Sequence, residues 1–173
     1  MNTQQSIIIR SAELDDIAQL FRISVDAHKS SYEGLIPQEN IARFDKRYTL
    51  NEENEAKYSK RMANRIQYPD WRVWVAVDEN TNEIAGYTLA HIISPTFLQK
   101  HGLFIRPDYQ GKGVGSQLFA ISLTAIESGT IQLSVIDQNS RAIHVYEKSG
   151  FTVVGNDEKT YYGANQIVMQ FHK

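Results

Sequence analysis

Residues 106–118 read RPDYQGKGVGSQL, with glycine at 111, 113 and 115 just ahead of helix-forming residues. Glycine loses more backbone entropy on folding than any other residue, so three at alternate positions need a reason. The strand HGLFIR (101–106) leads into them, and an apolar helix marked by Val114, Leu118, Ile121, Leu123, Ala125 and Ile126 leads away. Strand, glycine turn and helix start together aim unpaired backbone N–H groups at an anion, helped by the helix dipole. A tight turn that binds nothing is the plainer alternative, but one glycine usually suffices for that.

Two common phosphate motifs fail here. The triphosphate loop G-x-x-x-x-G-K-[ST] fails because Gly111-Lys112 is followed by Gly113. The dinucleotide fingerprint G-x-G-x-x-G fails in both frames, since Ser116 and Leu118 stand where its last glycine belongs. The turn also lies two-thirds along the chain, far from the first βαβ unit of a dinucleotide fold.

The totals bound the classes. A chain of 173 residues fits one domain, expected over 1–173 with a core of 7–172. Its formal charge of −2 gives no support for a nucleic-acid or membrane-surface partner, although a local basic patch can hide within it. No cysteine is present, which excludes disulfides, cysteine nucleophiles and thiolate metal sites; no metal is expected. The opening MNTQQSIIIRSAELDD lacks a basic segment followed by a long apolar one, so no secretory leader is read and a cytoplasmic protein is expected.

Periodicity supplies the elements. Ile7–Ile9 read as a strand, and DDIAQLFRISVDA as a helix with Ile17, Leu20, Phe21 and Ser24 on one face and Asp15 or Asp16 at its start. HKSSYEGLIPQENI (28–41) reads as irregular, with Pro37 at the first position of a new helix. A polar helix is expected from about Asn51 to Gln67, its acids early and its bases late, as the dipole favours. WRVWVAVDENTNEIAGYTLAHI (71–92) reads as a β-hairpin and IQLSVI (131–136) as a buried strand. Asn139 or Ser140 caps a helix through Lys148 that stops at Gly150, and FTVVG and NQIVMQF supply two last strands. The order defines one α+β domain.

Gln110-Gly111-Lys112-Gly113-Val114-Gly115 fits [Gln/Arg]-x-x-Gly-x-[Gly/Ala] and resembles the pyrophosphate loop of the GCN5-related N-acetyltransferase (GNAT) family. Leu103-Phe104-Ile105-Arg106-Pro107-Asp108-Tyr109 resembles that family's fourth strand and its proline. Asn139-x-x-Ala142-x-x-x-Tyr146-Glu147-Lys148-x-Gly150-Phe151 is similar to its second motif. Tyr32-Glu33-Gly34-Leu35-Ile36-Pro37 resembles the substrate-side loop of bacterial members, including those near spermidine/spermine acetyltransferases. The resemblance covers nearly the whole chain and is weakest over 40–70. It implies a central, mixed, mostly antiparallel sheet flanked by helices, with strands splayed at the cofactor site. It also implies acetyl transfer from acetyl-coenzyme A to a primary amine of a small molecule or peptide, and admits a homodimer.

By the same resemblance, residues Gln110, Gly111, Lys112, Gly113, Val114, Gly115 and Ser116 hold the pyrophosphate; Lys112 adds charge at the rim or is simply a solvated lysine. Backbone groups of Leu103, Phe104 and Ile105 meet the pantetheine arm, beside Ala142. Asn139 either contacts that arm or only caps its helix. Tyr146 is the candidate acid for the departing sulfur, with a core tyrosine on an amphipathic helix as the alternative. Many family members carry a glutamate on the fourth strand, and KHGLFIRP has none. His101 is expected to share strand parity with Leu103 and Ile105 and to relay the amine proton through water, with His91 second; both can equally be ordinary sheet histidines. His28, Tyr32, His91, Trp74, Phe97, Tyr161 and Tyr162 are candidates for an acceptor pocket, or for packing. The other functional classes are an acyl-coenzyme A sensor that keeps the fold without turnover and, more distantly, a dinucleotide oxidoreductase. The acceptor itself is not legible.

Overall fold

The Val, Ile, Trp and Tyr alternation of 71–92 does form a hairpin, and the rest of the sheet is built around it. The computed structural model describes residues 6–173; the opening five residues, read above for a leader, lie outside the described residues. Strands β1 (Ile7–Ser11), β2 (Trp71–Asp78), β3 (Glu83–Ser94), β4 (Phe97–Ile105), β5 (Thr130–Ile136), β6 (Thr152–Asn156) and β7 (Gln166–His172) make one sheet. Their order is β1-β2-β3-β4-β5-β7-β6, and every pairing is antiparallel except β4 with β5. No described helix is long and apolar enough to cross a membrane.

Helices α1 (Ile17–Tyr32), α2 (Gln38–Arg47) and α3 (Glu52–Gln67) cover one face. Leu20, Phe21, Val25, Phe44, Tyr58 and Met62 pack there on Val73, Val75, Tyr87 and Leu89. Helices α4 (Val114–Ser122) and α5 (Ser140–Lys148) lie on the other face. Leu98, Phe119, Leu133, Phe151 and Met169 fill that side, with Ala76, Ala85, Val114 and Leu118 beneath the start of α4. Burying such side chains contributes roughly 1.5–3 kcal/mol each, so the two layers hold the sheet from both sides.

Three local expectations are corrected. The stretch from His28 is not irregular at its start: α1 runs on to Tyr32, because His28 and Tyr32 extend its apolar face and find aromatic partners. Pro37 is the N-cap of α2 and not its first residue, its extended ψ of 141° setting the chain just before Gln38. The helix after the glycine turn ends at Ser122, and a 3-10 turn over Leu123–Ala125 brings Ile126 back to extended backbone.

Candidate active site

β4 and β5 pair only over Phe97–Gln99 against Thr130–Gln132. Beyond that the two strands part, while each keeps its other neighbour, β3 or β7. The edges of 100–105 and 133–136 therefore face each other without a ladder between them. Parallel neighbours that separate in this way leave a slot lined by backbone N–H and C=O groups.

The glycine turn follows the outer end of β4. Gly111 and Gly113 have φ of 75° and 82°, in the left-handed region that costs a residue with a Cβ about 1–2 kcal/mol. A Cβ at either would meet nothing within 4 Å, so open space lies beyond the turn. Among the described residues, the N–H groups of 111–116 donate to no acceptor, and the first main-chain bond of α4 runs from Gln117 to the Gly113 carbonyl. Six free donors, a helix start and open space fit a diphosphate. Gly115 differs, with ordinary backbone; a Cβ there would touch Ile105 Cγ1 at 3.6 Å, a normal contact. The fold does not require glycine at 115.

The neighbours of the turn are held by the protein itself. Gln110 donates from Nε2 to the Ile105 carbonyl at 3.4 Å and accepts from Arg141 at 3.4 Å. The Lys112 ammonium lies 5.4 Å from the centre of the Tyr109 ring, at the exposed rim. Leu103 and Ile105 point towards α4, whereas Phe104 points to the opposite face, stacked on His28.

On the α5 side, Asn139 Oδ1 accepts the Ala142 N–H at 3.2 Å, so the cap is present. One turn beyond Ala142, the ring of Tyr146 packs against Phe119 and Phe151 at 5.8 and 6.0 Å. Its hydroxyl has no hydrogen-bond partner among the described residues, yet is not sealed from solvent. Desolvation pushes its pKa up to about 12, so the proton stays in place at neutral pH. Desolvation likewise raises Tyr32, with the charge of Tyr146 adding to the shift.

His101 is not where strand parity puts it. Leu89 pairs with Gly102 and Ala90 with Lys100, so His101 is the extra residue of a β-bulge. It turns to the α3 face and stacks on Trp71 at 4.9 Å, away from Leu103 and Ile105. Desolvation against these neighbours, with the charges of Arg65, His91 and Lys100 adding, lowers its pKa to about 4. His91 stacks on the same Trp71 at 4.6 Å and bonds Asp70 through Nε2 at 2.8 Å.

The bulge also turns Lys100 inward, a residue the sequence reading missed. Its ammonium donates to Thr88 Oγ1 at 2.9 Å and to the Gly102 carbonyl at 3.2 Å, and lies over Phe119 at 5.3 Å. No carboxylate pairs with it among the described residues, and burial lowers its pKa to about 7. A signal existed: Lys100 lies two residues after Leu98, on the same buried face.

The expected aromatic pocket is partly assembled. His28 is sandwiched between Tyr48 at 4.1 Å and Phe104 at 4.8 Å, and its Nδ1–H donates to the Ser24 carbonyl at 2.6 Å. Desolvation lowers its pKa to about 4. Tyr32, Phe44, Tyr161 and Tyr162 complete the cluster, and the Tyr48 and Tyr161 hydroxyls bond each other. Tyr162 holds φ of 49°, unusual for a bulky side chain, at the tip between β6 and β7. Trp74 and Phe97 do not belong: Trp74 packs on the α4 face, and Phe97 sits at the β3–β4 turn.

Comparison with known proteins agrees with this fold. Residues 69–153 match the family described as acetyltransferase (GNAT) domain. The chain is 34% identical over 90 residues to the peptidyl-lysine N-acetyltransferase YjaB of Salmonella typhimurium, covering 52% of this chain and 57% of that one. It is 26% identical over 163 residues to the spermidine N(1)-acetyltransferase of Vibrio cholerae, covering 90% and 83%. The structure of the PaiA N-acetyltransferase of Thermoplasma acidophilum in complex with coenzyme A superposes with a TM-score of 0.76 at 22% identity, over 97% and 99%. The chain spans about half the length of the first curated relatives it matches. The chain thus resembles the GNAT family over 69–153 and shares the fold of a solved N-acetyltransferase over nearly its whole length.

Proposed function

We propose that the protein is an N-acetyltransferase that moves the acetyl group of acetyl-coenzyme A to a primary amine of a small molecule or peptide. The observation that carries this is the run of free amides at 111–116 just after β4, which has parted from β5, and the unpartnered Tyr146 hydroxyl supports the reading. A relative named for peptidyl-lysine, another for spermidine and a neighbour solved with coenzyme A support it.

Bound in the slot, the cosubstrate supplies an activated thioester. The residues of this chain supply the rest. Backbone amides of Gly111–Ser116 take the pyrophosphate, and the free edge of Leu103–Ile105 takes the amides of the arm and the thioester carbonyl. The acceptor amine enters from the α1–α2 side, past Tyr32 and Tyr161. As the C–N bond forms and the C–S bond breaks, Tyr146 gives its proton to the sulfur, and its high pKa keeps that proton loaded. The amine proton leaves through water towards His101, which a pKa of about 4 holds unprotonated at neutral pH. Lowered so far, His101 is a weak base, and the rate should follow deprotonation of the free amine, whose pKa is near 10.4.

The test is release of free thiol from acetyl-coenzyme A across a panel of amines and peptides. Amine-dependent release is expected. Tight coenzyme A binding with no release on any acceptor would make the protein a sensor instead.

A further inference from the structure

Lys57, Lys60, Arg61, Asn64 and Arg65 recur on α3 at intervals of three, one, three and one, the spacing of a single helical face. With Tyr68 and Trp71 they line an open groove of about 410 Å³. Arg47 of α2 and Arg61 share a smaller recess alongside. Of these bases only Lys57 has a carboxylate partner among the described residues, the exposed Glu53 one turn earlier; Arg47, Lys60, Arg61 and Arg65 have none within 4.0 Å. The helix dipole explains why bases come late in α3. It does not explain why they share one face in a chain of net charge −2.

Like charges gathered without counter-ions repel one another, and the repulsion registers on their neighbours. Arg61 lowers the Arg65 pKa after desolvation does, and Arg47 and Arg61 both act against protonation of His28. The groove also has a direction. The Arg65 guanidinium lies 4.4 Å from the centre of the Trp71 ring, which stacks in turn on His101 at the β4 bulge. His101 is two residues beyond the last β4–β5 pair, so the Arg65–Trp71–His101 stack links the groove lining to the β4 edge that borders the slot. This is the face of α1–α3, opposite the α4 turn that suits the pyrophosphate.

We propose that this groove binds an acidic peptide segment, and that the acceptor is a peptide amine followed by carboxylate side chains and not a polyamine. The proposal rests on the slot being the site of acetyl transfer. Charge decides against a polyamine, which would meet Arg47, Arg61 and Arg65 before the slot. Length favours a peptide: Lys57 to Tyr68 spans about 16 Å at the helical rise, the reach of about five extended residues at roughly 3.3 Å each. A free amino acid would leave Lys57 and Lys60 unmet.

The test uses dansyl-labelled Lys-Asp-Glu-Asp-Glu, its amide counterpart Lys-Asn-Gln-Asn-Gln, and spermidine. Binding is read by fluorescence anisotropy and transfer by thiol release. The acidic peptide should bind at least about tenfold more tightly than the amide peptide, and the advantage should shrink as salt rises. Arg61→Glu/Arg65→Glu should remove it while leaving coenzyme A binding unchanged. The exposed pair Lys57→Glu/Lys60→Glu, which disturbs no packing, should weaken acidic-peptide binding in the same direction by a smaller factor. Equal binding of the acidic and amide peptides, or full acidic-peptide affinity in both variants, overturns the groove. Displacement by a single-stranded oligonucleotide that binds more tightly reassigns it. Better turnover of spermidine than of the acidic peptide overturns the acceptor assignment. Groove-dependent binding with no thiol release on any amine leaves the groove standing and removes the enzyme reading instead.

Discussion

The two faces of the sheet solve different problems with different materials. On the α4–α5 face, the features that suit coenzyme A are backbone: free amides, two left-handed glycines and a strand edge. On the α1–α3 face, the features that suit an acceptor are side chains drawn from α1, α2, α3, β4 and the β6–β7 tip. Backbone chemistry needs a fixed local conformation, which a short sequence can specify by itself. Side-chain chemistry assembled across a sheet needs the register of every strand between. The donor side is therefore the face on which one residue type can be tested at a time.

The largest expected effect lies where the faces meet. Tyr146→Phe should lower kcat by roughly 10²–10⁴-fold, typical of a positioned acid, with coenzyme A affinity kept because the ring still packs on Phe119 and Phe151. A wild-type rate with chemistry rate-limiting would remove Tyr146 from the mechanism. Next is the turn. Gly113→Val places a branched side chain at φ of 82°, and calorimetry should show coenzyme A affinity down by about 10–100-fold, the equivalent of 1–3 kcal/mol of backbone strain. Undiminished affinity would take the turn out of the site.

Acid sharpens the contrast from the other face. His28 has a folded pKa of about 4 against an ordinary 6.5, so the unfolded chain takes up its proton first as pH falls. Stability should be lost progressively between pH 6.5 and 4, by about 3 kcal/mol for this one residue. His28→Phe, which keeps the stack on Tyr48 and Phe104, should remove most of that slope; His101 contributes less because part of its ring meets solvent. An unchanged slope in urea titrations across this range would mean that His28 is not desolvated.

Lys100 carries the opposite sign. Its folded pKa is about 7 against an ordinary 10.5, so above pH 7 the unfolded chain holds the extra proton and stability should rise towards pH 9. Lys100→Met should stabilise the protein at pH 7 and flatten that rise; an equally steep rise would place the ammonium in water. The smallest effect is expected at Gly115. Gly115→Ala should stabilise the fold by at most about 1 kcal/mol, since alanine suits a helix better, yet still weaken coenzyme A binding. Unaltered binding would mean that the ligand keeps clear of α4's first turn.

What the sequence conceals follows the same division. The turn at 111–115, the Asn139 cap and the hairpin at 71–92 each depend on neighbours in the chain, and each was readable. The bulge was not, because it exists only in the pairing of β3 with β4 and has no signature in HGLFIR itself. That single offset sent His101 to the wrong face on paper and hid Lys100. The basic stripe was half readable: bases late in α3 were noticed, but their shared face shows only when 57, 60, 61, 64 and 65 are placed on a helix. Arg47 and Trp71 join it through tertiary packing alone.

The short contact between β4 and β5 has a mechanical consequence. Among the described residues, three residue pairs at one corner are the only strand-to-strand joint between the four-stranded meander β1–β4 and the three-stranded unit β5–β7. A ladder opens one pair at a time when peeled from its end, and this one is already open along most of its length. A ligand lying between the two edges takes the place of the missing ladder, bearing load that three pairs otherwise carry alone. Filling the slot is then also a splint, stiffening the hinge between two halves that fold from separate stretches of chain.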